Sequence, residues 1–355
     1  MAMKVETVIL GPDTDQYKGQ GQPVTNIRHI SYVSKRMEAL GFDGVTTPEA
    51  GHDPFLPIPL IAEHTERISI GTNVAIAFPR SPMVTAQIAW DLQQLSGGRF
   101  RLGLGTQVKA HVARRYATPW TSAPGPRMRE YLECMRAMFD TFAGKEPRYY
   151  EGEHYNFSMM NPFFNPGPID FAPPEILIAA VNTYMASLAG ELCDGLRLHP
   201  ISTFDFTHKC VMPAVAKGAE KAGRKASDVD MVGAPFLCLA KDEASLRAAM
   251  EDQKQHIAFY ASTPTYHSVL EHHGWMDTAA ELHGMTRQGK WDELHKCISD
   301  DMLEEWAIVS TWDDFPDKCR ARCEGIFDTV LLDLPPDARA DEDFVRSTIA
   351  ALKNG

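Results

Sequence analysis

Two turns have the composition of an anion site, the first of them glycine-bearing. In "RLGLGTQVKAH" (101–111), Gly103 and Gly105 leave the backbone free of side-chain bulk, so that N–H groups approach a ligand closely. Thr106 and Gln107 add donors, and Lys109 and His111 add positive or titratable character, a set that suits phosphate. The glycine spacing begins like a dinucleotide fingerprint, but Val108 stands where its third glycine would be. The second turn, "AAVNT" (179–183), puts Ala179 and Ala180 ahead of Val181 and Asn182 at a helix start. Asn182 or Thr183 caps that helix, whose first N–H groups also favour an anion. A single GxG turn is weak evidence, and two anion-friendly turns on one rim are stronger than either alone.

Proton transfer has its own candidates. "TTPEAGHDPF" (46–55) sets Glu49 and His52 in one loop, and a carboxylate beside an imidazole moves protons near neutral pH. His52 is equally readable as a solvated side chain, and Asp53 as the cap of the following helix. His111 and His199 (in "GLRLHP") are further candidates, with packing an equal alternative for His199. In "IGTNVAIAFPRSP" (70–82), Thr72 and Asn73 interrupt an apolar run. A glycine and an asparagine there read as a bulge, a close backbone approach to a ligand, or a satisfied core amide. The seven cysteines are scattered, an odd set that reads as reduced thiols in a cytosolic protein. Only Cys319 and Cys323 share helical spacing, and with no second pair no metal site is expected.

These residues need a scaffold, and the chain alternates strand-like and helix-like segments. Strands are expected at 4–10, 42–47, 68–78, 99–105, 176–181, 195–198, 229–240 and 325–334. Helices fall between them, at 26–40, 59–67, 82–95, 125–143, 183–191 and 205–222, with one closing the chain. Nearly continuous apolar strands in βα units indicate a parallel sheet covered on both faces, and eight favour a closed (β/α)8 TIM barrel. The chain reads as a single barrel domain with insertions near 145–172 and 242–312, the second helical. Chemistry in such barrels sits at the carboxyl ends of the strands, where every candidate above falls. The first strand is expected to end at Gly11-Pro12 and not to be a leader. With 35 basic and 47 acidic residues (net −12), no nucleic-acid partner is expected. No apolar run reaches the ~18 residues of a membrane span, so none is expected and the protein is read as cytoplasmic.

"GFDGVTTPEAGHDPF", "RISIGTNVAIAFPRSPMVTAQIAWDLQQLSGGRFRLGLGTQVKAH" and "LAGELCDGLRLHP" resemble the bacterial luciferase-like flavin and deazaflavin oxidoreductases, and more narrowly their coenzyme F420-dependent branch. The resemblance implies a barrel that binds F420, or alternatively FMN, at its carboxyl rim. It implies a non-prolyl cis peptide in the third strand, here Asn73–Val74, whose backbone supports the ring. It places the phosphate at Gly105, Thr106 and Gln107 and at Ala180, Val181 and Asn182. Gln107 and the Val181-Asn182 pair stand where relatives commonly carry glycine. The histidine–glutamate pair of the sugar-phosphate dehydrogenase of the superfamily is absent, since Val108 occupies the glutamate position. The implied activity is hydride transfer to or from a small, apolar or planar substrate, with a homodimer as assembly. Glu49, His52, His111 and His199 are the candidates for the accompanying proton. Six aromatics from Tyr149 to Phe164 cover the substrate, or else bury against the barrel or a partner subunit. A reduced-FMN monooxygenase and a non-catalytic cofactor-binding protein are the alternatives.

Overall fold

In the computed structural model, which describes residues 2–9, 27–145 and 149–354, the strand-like runs close into a cylinder. The strands in chain order are β1 (Lys4–Val8), β2 (Gly44–Thr47), β3 (Ser69–Thr72), β4 (Ala75–Ile76), β5 (Phe100–Gly105), β6 (Tyr150–Glu151) and β7 (Asn156–Phe157). They continue with β8 (Glu175–Ala180), β9 (Gly195–Leu198), β10 (Asp230–Gly233), β11 (Phe236–Ala240), β12 (Ala307–Thr311) and β13 (Thr329–Leu331). Parallel pairing runs β3, β2, β1, β13, β10, β9, β8, β5, and β5 pairs back to β3, so eight staves close a TIM barrel. β4 continues the third stave beyond residues 73 and 74 and pairs with the end of β5. Gly11 and Pro12, the expected end of the first strand, lie outside the described residues.

Side chains alternate between the two faces of each stave. Val5, Val45, Ile70, Leu102, Ile176 and Leu196 are fully buried on the side that meets the helices. The inner side is filled by charge. Glu6 bridges Arg101 (Oε1 to Nη1, 2.9 Å) and Arg197 (Oε2 to Nη1, 2.9 Å). Arg101 also reaches Glu175 at 2.8 Å and Asp230 at 2.5 Å. Burial pulls the Arg101 pKa down, but Glu6, Asp230 and Glu175 more than offset this, so it is raised and the guanidinium stays charged. Gly103 leaves this interior open: a Cβ there would stand 2.0 Å from the Thr72 carbonyl oxygen and 3.2 Å from Arg197 Nε.

Both insertions add strands that pair outside the barrel. The first holds the antiparallel β6–β7 hairpin and then runs along the outside of the barrel. Tyr150 donates to Glu133, Tyr155 sits edge-on to Tyr131, and Phe157 is buried. Trp90 donates to the Gly167 carbonyl and Gln93 to that of Ala172. The segment is therefore fastened to helices Pro82–Leu95 and Pro124–Phe142 through Tyr150, Tyr155 and Phe157, while Tyr149, Phe163 and Phe164 are exposed. The second insertion is not wholly helical. Ala234-Pro235 ends the barrel strand, and β11 pairs instead with β12, from Phe236↔Ala307 to Ala240↔Thr311. Among the described residues, no helix is long and apolar enough to cross a membrane.

Candidate active site at the carboxyl rim

The staves β5 and β8 are neighbours, with Leu104 opposite Ile178, so the two anion-friendly turns lie side by side on the rim. A Cβ on Gly105 would come 3.9 Å from that of Ala179 and only 2.6 Å from Val74 Cγ2. Gly105 is thus the space into which Val74 packs. Asn182 caps helix Thr183–Leu192 by accepting from the Met185 N–H at 2.9 Å. This leaves the first-turn N–H groups of Thr183 and Tyr184 without intrahelical acceptors. Ala180 is buried, Val181 half-buried, and Asn182 exposed beside the turn of Thr106 and Gln107.

Gln107 has φ 55°, a left-handed conformation that costs an L residue about 1–2 kcal/mol. Its own Oε1 accepts from the Val108 N–H at 2.8 Å and steadies the turn. Glycine avoids the steric cost but has more unfolded freedom to lose, about 0.5–1 kcal/mol. Gln107→Gly is therefore expected to gain roughly 0.5 kcal/mol, read as a higher urea midpoint at unchanged slope. A lower midpoint would mean that the side-chain bond outweighs the backbone term.

The third stave carries the non-prolyl cis bond Asn73–Val74, at the position the resemblance implies. The Asn73 N–H donates to the Thr47 carbonyl at 2.9 Å, and both Asn73 and Val74 are half-buried. Thr72 is fully buried: its hydroxyl donates to the Gly103 carbonyl (2.6 Å) and accepts from the Gly103 N–H (3.0 Å). It clamps the β3–β5 seam, so its side chain does not face the mouth.

The four proton-transfer candidates fall into different environments. Glu49 is 4% exposed and accepts from Arg80 Nη1 (2.7 Å), the Ile76 N–H (2.7 Å) and Tyr116 Oη (3.0 Å). A carboxylate with three donors anchors its surroundings. Burial opposes the Arg80 charge, but Glu49 and Asp53 together raise its pKa. Asp53 accepts from the N–H groups of Phe55 and Leu56, capping the turn before helix Ile58–His64 rather than the helix itself. His52 and His111 are exposed. His199 is enclosed by Tyr266, stacked at 5.0 Å and 26°, and by Tyr260, edge-on at 4.7 Å. Burial pushes its pKa down to about 4, so the ring is neutral at pH 7. Nδ1 accepts from the Ile201 N–H at 3.1 Å, which leaves the Nε2–H as the donor.

Arg80, Tyr116, Tyr260 and Tyr266 escaped the sequence reading. Arg80 had a signal, since it follows the end of the third strand in "AFPRSP". The tyrosines had none: Tyr260 and Tyr266 come from the second insertion, whose return over the mouth the sequence does not encode locally.

An eight-stave parallel barrel with paired N–H-rich turns on neighbouring staves makes its carboxyl rim the candidate site. The chain belongs to the luciferase-like monooxygenase family, whose model matches residues 3–329. An uncharacterized protein of Mycobacterium tuberculosis is 41% identical over 295 residues, 83% of this chain and 86% of the relative. The coenzyme F420-dependent tetrahydromethanopterin reductase of Methanopyrus kandleri superposes with TM-score 0.75 at 20% identity, over 99% of this chain and 98% of that one. The oxygenating constituent of 3,6-diketocamphane monooxygenase from Pseudomonas putida, in complex with FMN, has TM-score 0.65 at 17% identity, over 99% and 97%. The chain is thus an oxidoreductase of a fold that serves both F420-dependent reductases and FMN-dependent monooxygenases.

Proposed function

We propose that this protein is an F420-dependent oxidoreductase acting on a small, apolar or planar organic substrate. One observation carries the choice of cofactor. Lys109, His111, Arg114 and Arg115 are all exposed, on or at the end of the short helix that leaves the Gly105–Gln107 turn. In a chain of net charge −12, the Lys109, Arg114 and Arg115 cations gathered at one edge of the rim favour an anion longer than a phosphate. FMN ends at its phosphate, whereas the lactyl and glutamyl tail of F420 continues with carboxylates.

The residues present fit such a group. The N–H groups of turn 105–107 and of Thr183 and Tyr184 hold the phosphate, and the Asn73–Val74 backbone supports the ring. When bound, F420 supplies a carbon that accepts or donates hydride. The protein supplies the rest. His199 directs its Nε2–H at the substrate oxygen attached to the reacting carbon, a neutral imidazole acting as hydrogen-bond donor. Tyr260 and Tyr266 form an aromatic wall that excludes water, and burial pushes the Tyr266 phenol up to about 12, so it stays neutral. Glu49 holds Arg80, Tyr116 and β4 in place below the ring. His52 and His111 stay at the solvent edge, His111 on the tail path. The homodimer belongs to the same proposal.

Titration with F420 and with FMN, followed by quenching of protein fluorescence, tests this reading. F420 is expected to saturate at lower concentration than FMN. Tight binding of FMN with no response to F420 would overturn the proposal in favour of the monooxygenase. The Lys109→Gln/Arg114→Gln double variant is expected to weaken F420 by about tenfold, with reduced salt dependence, and to leave FMN unchanged. Equal losses for both cofactors would show that these cations do not read the tail.

A further inference from the structure

Away from His199, three side chains are joined in sequence. Cys210 lies in the π-helical turn Thr207–Val211 of the segment after β9, and such widened turns recur at functional sites. Its Sγ is 3.5 Å from His272 Nδ1, and His272 Nε2 is 2.7 Å from Asp205 Oδ2. Lys209 Nζ lies 2.7 Å from the other Asp205 oxygen. Lys209 first, and His272 second, hold the Asp205 carboxyl below its ordinary range. An ionised Asp205 only accepts, so His272 donates from Nε2. In the neutral ring Nδ1 is then the acceptor, and the Cys210 thiol donates to it. This is the order in which a nucleophile, its base and an orienting carboxylate are connected.

We propose that Cys210 is a reactive thiol that exchanges with small disulfides, with His272 as its base and Asp205 as the group that orients the base. Cys210 Sγ attacks one sulfur of the disulfide and its proton passes to His272 Nδ1. The old S–S bond breaks, and the departing sulfur takes the proton from His272. The protein is left with a mixed disulfide, and one equivalent of thiol is released. Burial and the nearby Asp205 charge keep the Cys210 thiol above its ordinary pKa, so it is protonated at rest and its reactivity depends on the base.

The other cysteines provide controls. Cys134, Cys193, Cys238, Cys319 and Cys323 are buried, and Cys297 is half-buried like Cys210. Cys297 faces the sulfur of Met285 at 3.5 Å, not an imidazole. Zinc binding is the competing use, because Asp205, His272 and His273 hold ligand atoms within 4.8 Å of one another. Their existing partners favour the relay: Asp205 is held by Lys209, His272 by Cys210, and His273 Nε2 by the Thr203 hydroxyl at 2.8 Å.

The folded protein is treated with dithiodipyridine, and each cysteine is followed by peptide mass spectrometry. Cys210 is expected to react about tenfold or more faster than Cys297, and His272→Ala to slow Cys210 by about tenfold while leaving Cys297 unchanged. His272→Gln, which keeps a polar side chain of similar reach, is expected to slow it equally. Equal rates at Cys210 and Cys297, or equal changes at both sites in the variants, would overturn the proposal. Protection of Cys210 by micromolar zinc that is lost in His273→Ala would overturn it in favour of a metal site.

Discussion

Glu6→Ala is expected to destabilise the barrel by about 3–5 kcal/mol, read by urea unfolding followed by tryptophan fluorescence. Glu6 is 2% exposed and is the shared partner of two guanidinium groups. Arg101 would still reach Glu175 and Asp230, whereas Arg197, 3% exposed, has no other hydrogen-bonded partner among the described residues. Among the described residues its Nε and Nη2 are already unpartnered, so removal of Glu6 leaves a buried charge without compensation. Arg197→Met should cost far less, about 1 kcal/mol or nothing, because Glu6 then keeps Arg101 and an apolar chain replaces an expensive ion. The Glu6→Ala/Arg197→Met pair should recover most of the loss, giving a coupling energy of a few kcal/mol. A Glu6→Ala variant within about 1 kcal/mol of the parent would mean that water enters the barrel and solvates Arg197.

That ion cluster marks where local sequence ceases to inform. Glu6, Arg101 and Arg197 each look like a polar residue on one face of a half-exposed strand, and only closure of the cylinder turns that face inward. The staves themselves were legible because their helix-facing positions, such as Val5, Val45, Leu102 and Leu196, are apolar and recur between helix-like segments. β12 was not: "AIVST" follows a helix directly, and its partner β11 lies on the far side of a long insertion. The barrel strand expected at 229–240 splits at Ala234-Pro235, a proline signal that the apolar run on either side conceals.

The candidate site divides along the same line. The two N–H-rich turns could be read because their chemistry is backbone chemistry, set by glycine and by an N-cap residue within a few positions. The surroundings of Glu49 and His199 could not, since each is defined by side chains from other staves or from the insertion. A carboxylate with three donors and an imidazole boxed by two tyrosines look alike in sequence. The structure separates them, leaving His199 with a donor to offer and Glu49 with its acceptors engaged.

Gly105→Ala tests whether the third stave supports the cofactor ring, and it is expected to reduce cofactor affinity by about tenfold or more. The added Cβ meets Val74 Cγ2 at 2.6 Å, a contact that no side chain tolerates unmoved. Val74 is half-buried, so it yields toward the mouth rather than into the core, and the stability cost should be only about 1 kcal/mol. The face on which the ring is proposed to rest would therefore be displaced while the barrel stays folded. Adding Val74→Ala removes the obstructing methyl groups, so the double variant should recover both stability and affinity. Wild-type affinity in Gly105→Ala would mean that the ring does not rest on Val74. Loss of affinity that Val74→Ala fails to restore would instead place the effect in the turn at Thr106 and Gln107, on the phosphate.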